Sequence, residues 1–479
     1  MNLTLSLGVN GGGAAAKKRK VMDGVGDVGV LGAADGGDRS TFMRLLQARD
    51  RMVKVELDHD VDGDVSGCGA SPLMRLLLSS AVAGEVGDTH AAAVALQEVY
   101  RHASFRGGDP VQRVAAYFAD ALASRLLLSP QPAQATTRQE QFLAFTMFYQ
   151  ASPLYQFAHF TANQAIVEAF EAGGTRRLHV VDFDVSFGFQ WPSLIQSLSD
   201  AATTSSSLSS HDDSGDSCDE PVSLRITGFG ASADELRDTE ARLARFADGC
   251  PNLRFEFEGV LNSGPEDDGR HDRIKTDPAA TVVVNLVFPA AQNARAGSWD
   301  PRSALAHIWS LSPSLVFLID KVDEGAGRCG GSASLLPRFA ANLRYYAAVF
   351  ESLHECLPAD SAERIAIEKD HLGVEISDAM ATLDRRRHDG DRAADQNQTS
   401  RGWKERLESA GFEDARLSSR TVSQAKLLLK MKSGGCGGGG FRVMEAGDGK
   451  AMALGWRDRA LVTASAWRPC RRSVGKNEP

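Results

Sequence analysis

Residues 178–198 read LHVVDFDVSFGFQWPSLIQSL. Leu178, Val180 and Val181 form a short apolar run that ends on Asp182 and Asp184, and a helical period begins near Pro192. A short apolar run followed at once by a helix reads as the opening of a strand–helix–strand unit. Further apolar runs follow: VSLRIT (222–227), LRFEFEGV (253–260), TVVVNLVF (281–288) and LVFLID (315–320). Helical stretches lie between several of them. The alternation predicts an α/β domain with a mostly parallel sheet covered by helices on both faces.

Local signals refine this reading. Ser232-Ala233-Asp234-Glu235 has the capping-box pattern and opens a helix to about Asp248. Residues 201–221, rich in Ser and Asp, read as a disordered insert within the sheet domain. Towards the C-terminus, a helix over RTVSQAKLLLKMK precedes the Gly-rich run GGCGGGG. FRVMEA, KAMALGW and ALVTASAW then predict short antiparallel strands, joined by turns at 447–449 and 457–459.

Upstream, the pattern is helical from Ser71 to about Gly173. Asp109, Pro110 and Gln112 make a helix start: cap, first position, third position. Val111, Val114, Ala115, Phe118, Leu122 and Leu126 then fall on one stripe. Pro153 begins another helix that stops at Gly173-Gly174, and Leu73, Leu76, Leu77 and Leu78 begin an earlier one. Glycines at 84, 87 and 107 interrupt any heptad, so these are packing helices of an α-helical cap rather than a coiled coil.

The chain has 479 residues and a net charge of −9, which excludes a whole-surface, histone-like grip on nucleic acid. Seven cysteines, with no C-x-x-C, exclude zinc fingers and ribbons. They predict free thiols in a reducing compartment. At the N-terminus the basic run follows the apolar start, the wrong order for a secretory signal, and no apolar run is long enough for a membrane span. Residues 1–69 read as a disordered tail carrying Lys17-Lys18-Arg19-Lys20, either a nuclear import signal or a solubilising cluster. Residues 469–479 form a basic tail that includes Arg471, Arg472 and Lys476.

Candidate chemistry is sparse, and no catalytic, cofactor-binding or metal-ligating residues are assigned. Gly325-x-Gly327-x-x-Gly330 starts too far beyond its strand for a dinucleotide turn and reads as a connection. An S-adenosylmethionine site at Asp182–Gly188 would need several glycines, whereas Phe187 and Phe189 flank Gly188 alone. His159 and His179 lie in apolar stretches and read as core residues. Asp182, Asp184 and Asp320 stand at strand ends, where capping the next helix is as good a reading as a ligand site. Arg385-Arg386-Arg387-His388, flanked by Asp384 and Asp389, reads as a solvated loop.

Taken in order, these segments resemble the plant GRAS family of transcriptional regulators. The Leu-rich helices (70–135) resemble its first leucine-rich region. Residues 138–230, with Leu178, His179, Val180, Val181 and Asp182 at their centre, resemble the VHIID region. Residues 233–264 resemble the second leucine-rich region, 281–400 the PFYRE region, and 403–467 the SAW region with its paired Trp456 and Trp467 beside Ser465 and Ala466. FAHFTANQAI and FQWPSLIQSLSD lean toward the scarecrow-like and nodulation-signalling-pathway-2-like members. The motif has Leu178 and Val181 where the family's Val-His-Ile-Ile-Asp has Val and Ile. ATLDRRRHDGDRAADQNQTSRGW (381–403) departs from the family pattern, and no DELLA-type N-terminus is seen.

The resemblance implies a Rossmann-type, methyltransferase-like core over 70–468 with a helical cap, and no cofactor. It implies a nuclear protein that regulates transcription through protein partners. These include DNA-binding factors and other GRAS proteins, with homo- or heterodimers through the cap and promoter DNA contacted indirectly or weakly. The alternative is a small-molecule methyltransferase on the same fold.

Overall fold

The computed structural model describes residues 71–126, 136–209, 221–261, 274–289, 301–322, 336–388, 402–433 and 439–470. The chain opens with helices α1 (Pro72–Glu85), α2 (Thr89–His102), α3 (Pro110–Leu126), α4 (Arg138–Ala151) and α5 (Pro153–Gly173). Then come β1 (Arg177–Asp182), α6 (Trp191–Ser209), β2 (Val222–Gly230), α7 (Ala233–Ala247), β3 (Leu253–Leu261), β4 (Thr281–Val287), α8 (Pro301–Ser310) and β5 (Leu315–Lys321). After these, α9 (Leu336–Cys356), α10 (Ala362–Ile367), a π-helical turn (Glu368–Leu372) and α11 (Gly373–His388) form a second helical run. The end comprises α12 (Trp403–Ser409), β6 (Phe412–Ala415), α13 (Ser419–Ser433), β7 (Phe441–Ala446), β8 (Ala451–Trp456) and β9 (Arg459–Pro469).

The helix starts follow from their first residues. Asp109 Oδ1 accepts from Gln112 N at 2.8 Å, and Gln112 Oε1 accepts from Asp109 N at 2.9 Å, so α3 has a reciprocal box. Thr137 and Glu140 make the same exchange at α4. Ser152 caps α5 ahead of Pro153, and Gly174 closes that helix at φ 61°, where a left-handed residue suits glycine. Ser232 is an exception: it makes no side-chain cap, and its expected partner Glu235 lies 3.7 Å from Arg138 instead. The expected capping box is therefore absent, and Glu235 faces Arg138 of α4.

The sheet runs β3-β2-β1-β4-β5-β9-β8-β7, with β6 paired to β9. Strands β1 to β5 are parallel; β9 joins β5 antiparallel and β8 and β7 follow antiparallel. Alternation along the strands sorts the core into two faces. Leu178, Val180, Val283 and Phe317 pack with the side of α5, α6, α9 and α13. Val181, Phe183, Val284 and Trp467 pack with Ile308 of α8 and Leu407 of α12. Val180 and Val181 are fully buried, each worth about 1.5–3 kcal/mol over exposure.

Three expectations need correction. Residues 201–209 continue α6 rather than joining a loop; 210–220 lie outside the described residues. Arg385–His388 lie on α11 rather than on a loop, because the helix runs 16 residues, about four turns, past the π-turn. The helical region 71–173 is not one cap: α5 packs on β4, β5 and β9 and belongs to the sheet layers, while α9 and α11 from the second half join α1–α3.

Candidate functional site at the carboxyl edge of the sheet

Sheet order reverses between β1 and β4, and in such folds ligands sit outside the carboxyl ends of the strands at that point. Asp182 ends β1 opposite Asn285 of β4. Asn285 Nδ2 donates to Asp182 Oδ1 and to Gln190 Oε1, both at 3.1 Å. Gln190 Nε2 donates to Asn285 Oδ1 and to Asn163 Oδ1, again at 3.1 Å. Asn163 Nδ2 in turn donates to the Gln190 carbonyl (2.9 Å) and to Ser193 Oγ (2.8 Å). This buried chain joins β1, β4, α5 and the start of α6. Each amide in it is satisfied, which makes it rigid rather than costly. Burial raises the Asp182 carboxyl to about 6, against the hydrogen bonds from Asn285 and the Asp184 amide that favour its charge.

The loop after β1 is shaped by packing. Gly188 has φ 71°, and a Cβ there would stand 2.7 Å from Thr239 Cγ2 of α7. The single glycine therefore serves a turn and a close approach to α7. Asp184 Oδ1 accepts from Ser186 N at 2.9 Å, closing the same turn. Phe187 and Phe189 turn toward α4, where both stand 5.1–5.6 Å from the rings of Phe142 and Phe145. Tyr149 also packs on Phe189, at 5.3 Å. Edge-to-face and tilted rings at these distances are mutually attractive.

Next to this wall, the end of β5 carries a charged group. Lys321 Nζ donates to Glu375 Oε2 (3.1 Å) and Tyr346 Oη (3.2 Å), and Tyr155 Oη donates to Glu375 Oε1 (2.9 Å). Burial disfavours the Glu375 charge, but Lys321 and His371 outweigh it and hold this carboxylate below its usual range. Burial likewise opposes the Lys321 ammonium, and Glu375 more than restores it. The arrangement can hold protons and charges in fixed places. Its partners are other side chains of the same chain.

A second buried node lies farther into the cap. Arg113 of α3 and Arg364 of α10 share Glu368, the first residue of the π-turn, and all three side chains are fully buried. The π-turn adds a residue to the helix, so Glu368 faces the cap and Glu375 faces Lys321.

The residues singled out in the sequence fall as follows. Leu178, His179, Val180, Val181 and Asp182 are all buried in β1, so this motif builds core and not surface. His179 Nε2 lies 2.9 Å from Thr227 Oγ1, and burial lowers this imidazole to about 4. His159 is buried among Tyr149 and Tyr155 and is lowered to about 3 for the same reason. Both are core histidines. Asp182 bonds across the sheet and does not cap α6. Trp456 and Trp467 are both buried but on opposite faces, Trp456 against Phe441 and Trp467 among Val316 and Leu407. They are therefore not a contacting pair. Trp467 Nε1 donates to Ser465 Oγ at 2.9 Å, and Ala466 is buried on the Trp456 face. Lys17–Lys20, Gly325–Gly330, Arg471, Arg472 and Lys476 lie outside the described residues. Among the described residues, no cluster of His, Cys, Asp and Glu could hold a metal ion, and no helix is long and apolar enough to cross a membrane.

Order 3-2-1-4-5 followed by an antiparallel strand defines a Rossmann-type α/β protein, here with a helical cap and ring-packed strand ends. Within that class the chain belongs to the GRAS domain family, whose model matches residues 73–468. It is similar to Scarecrow-like protein 23 of Arabidopsis thaliana, 32% identical over 418 residues (84% of this chain, 91% of that protein). Protein SCARECROW 2 of Oryza sativa subsp. indica is 33% identical over 415 residues, 84% of this chain and 56% of that one. DELLA protein GAIP of Cucurbita maxima is 34% identical over 366 residues, 75% of this chain and 56% of that one. The chain thus spans nearly all of the first relative and about half of the other two. The crystal structure of SCL7 from Oryza sativa aligns with a TM-score of 0.60 at 31% identity, covering 83% of this chain and all of that one. Members of this family are plant regulators of development.

Proposed function

We propose that this chain is a nuclear transcriptional regulator that acts through protein partners, among them DNA-binding factors and other members of its family. DNA is contacted indirectly or weakly, in keeping with the net charge of −9. The observation that carries this reading is the packing of Phe187 and Phe189 into Phe142 and Phe145. It fills with rings the corner where a cofactor-using α/β enzyme keeps glycine and space. The methyltransferase reading needs that space, and it needs acceptors at the strand ends that are not already bonded to the protein's own amides.

Partner docking is assigned to the cap. Val82, Val86 and Val94 of the α1–α2 hairpin are 42, 76 and 52% exposed, and apolar exposure of this kind suits an interface. Nuclear entry is assigned to Lys17–Lys20.

The test is a two-hybrid comparison of the full chain with a Val82→Glu, Val86→Lys, Val94→Glu variant of unchanged melting temperature. Loss of partner and self association is expected. Undiminished association would move the interface off the hairpin. Calorimetry with S-adenosylmethionine is expected to give no saturable heat. A dissociation constant of roughly 10 μM, about −7 kcal/mol, would restore the enzyme reading.

A further inference from the structure

Strand β3 stands at the opposite end of the sheet order from β7 and pairs with β2 on one side only. Along Leu253–Val260 no other segment bonds to its outer edge among the described residues. Unpaired N–H and C=O groups in such a row are a template for another strand. The side chains there alternate. Leu253, Phe255 and Phe257 are half-buried on the α7 side, and Arg254, Glu256 and Glu258 take the other face. Phe255 and Phe257 also line an open hollow of about 460 Å³ beside the strand, with Glu240 and Ala244 of α7 and Arg225 of β2. Arg254 and Glu256 are exposed, and neither has an ion-pair or hydrogen-bond partner among the described residues. Glu258, by contrast, accepts from Arg225 Nη2 (2.7 Å) and Thr227 Oγ1 (3.2 Å).

This order of charges is complementary to itself in reverse. Two copies of β3 related by a two-fold axis normal to the sheet run antiparallel, and opposed residues share a face. Centred on Phe255, the pair sets Arg254 of each copy against Glu256 of the other, Phe255 against itself and Leu253 against Phe257. Opposite charges and apolar side chains opposed in this way are favourable, and like charges directly opposed are not. Centring on Arg254 or on Glu256 sets that charge against itself, and centring on Phe257 opposes Glu256 to Glu258. One register therefore satisfies both free charges and keeps the apolar row continuous. Residues 253–257 are few beside the roughly 20–30 a side of a standard interface, so the contact fills only at high concentration.

We infer that β3 pairs edge to edge with β3 of a second copy of this chain, in the antiparallel register centred on Phe255, joining the two sheets into one. The contact shares no residue with the α1–α2 hairpin and does not depend on docking there. The experiment is sedimentation velocity on the full chain carrying Val82→Glu, Val86→Lys and Val94→Glu, which removes the hairpin surface, from about 5 to 200 μM. A monomer–dimer equilibrium is expected. Arg254→Glu alone and Glu256→Arg alone each turn two attractive pairs into repulsive ones, and each should weaken the dimer roughly tenfold. Both changes together restore the pairs in reversed order and should return the dimer to within about threefold of its parent. A mixture of the two single variants should dimerise as well, because their charges then oppose across the pair. Both positions are exposed, so melting temperatures should not move. A chain that stays monomeric throughout would overturn the inference and leave the edge to a different protein. A dimer indifferent to Arg254→Glu, or not restored by the double change, would overturn it by placing the contact elsewhere. Hydrogen exchange over 253–257 that is already slow in the monomer would put a segment of the same chain on the edge, and would overturn it too.

Discussion

Asp182 and Asn285 face each other across the β1–β4 pair, and a single hydrogen bond of 3.1 Å joins the carboxylate to the amide. Burial lifts this carboxyl from 3.8 to about 6, so the fold binds its proton more tightly than the unfolded chain does. Stability from this group is therefore full below about pH 3.8 and is lost as pH rises through about 6, a cost of roughly 3 kcal/mol at neutral pH. Asp182→Asn keeps an acceptor for Asn285 and for the Asp184 amide and carries no charge. Its melting temperature is expected to exceed wild type at pH 7.5, with the gap closing by about pH 4. A variant less stable than wild type at pH 7.5 would show that the fold uses the charge.

His159 gives the opposite slope. Its ring lies between Tyr149 and Tyr155, its Nδ1 is buried without a hydrogen bond, and burial lowers it from 6.5 to about 3. A lowered imidazole contributes stability above about pH 6.5 that is lost as pH falls, at about 1.4 kcal/mol per unit. His159→Phe is expected to flatten the acid limb of a plot of unfolding free energy against pH. His179, lowered to about 4, leaves part of the slope in place. An unchanged acid limb would mean that His159 is protonated in the fold.

Which parts of this were readable from the sequence follows from how local each signal is. The apolar run at 178–182 and its successors gave strands because a strand buried on both faces is continuous in sequence. Asp109 and Gln112 gave a helix start because a cap spans four residues. Asn285, Gln190 and Asn163 were not legible as a network, since their bonds join residues up to 103 positions apart. The one available hint was Asn285 itself, a polar residue inside TVVVNLV. Arg113 and Glu368 lie 255 positions apart, and a π-turn has no sequence period to announce it. Phe187 and Phe189 were readable as bulky, but only α4 shows what they fill.

Val181→Asp tests the sheet. The residue is fully buried among apolar side chains on the face shared with α8 and α12. An ionised carboxylate there is expected to give insoluble protein, because its desolvation exceeds the whole stability of an ordinary domain, about 5–15 kcal/mol. Val86→Asp, on a side chain 76% exposed, is the control and should express and melt like wild type. A soluble, cooperatively melting Val181→Asp variant would remove β1 from the centre of the sheet.

The Arg113–Glu368–Arg364 node ties the cap to the second helical run, and its energetics are testable by charge. Arg113 Nε donates to both Glu368 oxygens at 3.0 and 3.1 Å, and Arg364 Nη1 donates at 2.8 Å. Arg113 Nη1 donates to the Gly108 carbonyl, and Arg364 Nη2 and Nε donate to those of Arg106 and Ala359, while Arg113 Nη2 is buried without a hydrogen bond. Burial raises Glu368 and lowers Arg113, so for both partners desolvation outweighs the attraction between them. Such a node adds little net stability when whole, and breaking one member strands the rest. Glu368→Ala leaves two buried guanidiniums without an anion and should cost about 3–5 kcal/mol, read as a fall in the urea midpoint at constant slope. Replacing all three by apolar residues of similar length, Arg113→Met, Arg364→Met and Glu368→Leu, is expected to recover most of that loss. A Glu368→Ala variant within about 1 kcal/mol of wild type would mean that water reaches the node and that α3 is held to the π-turn by packing alone.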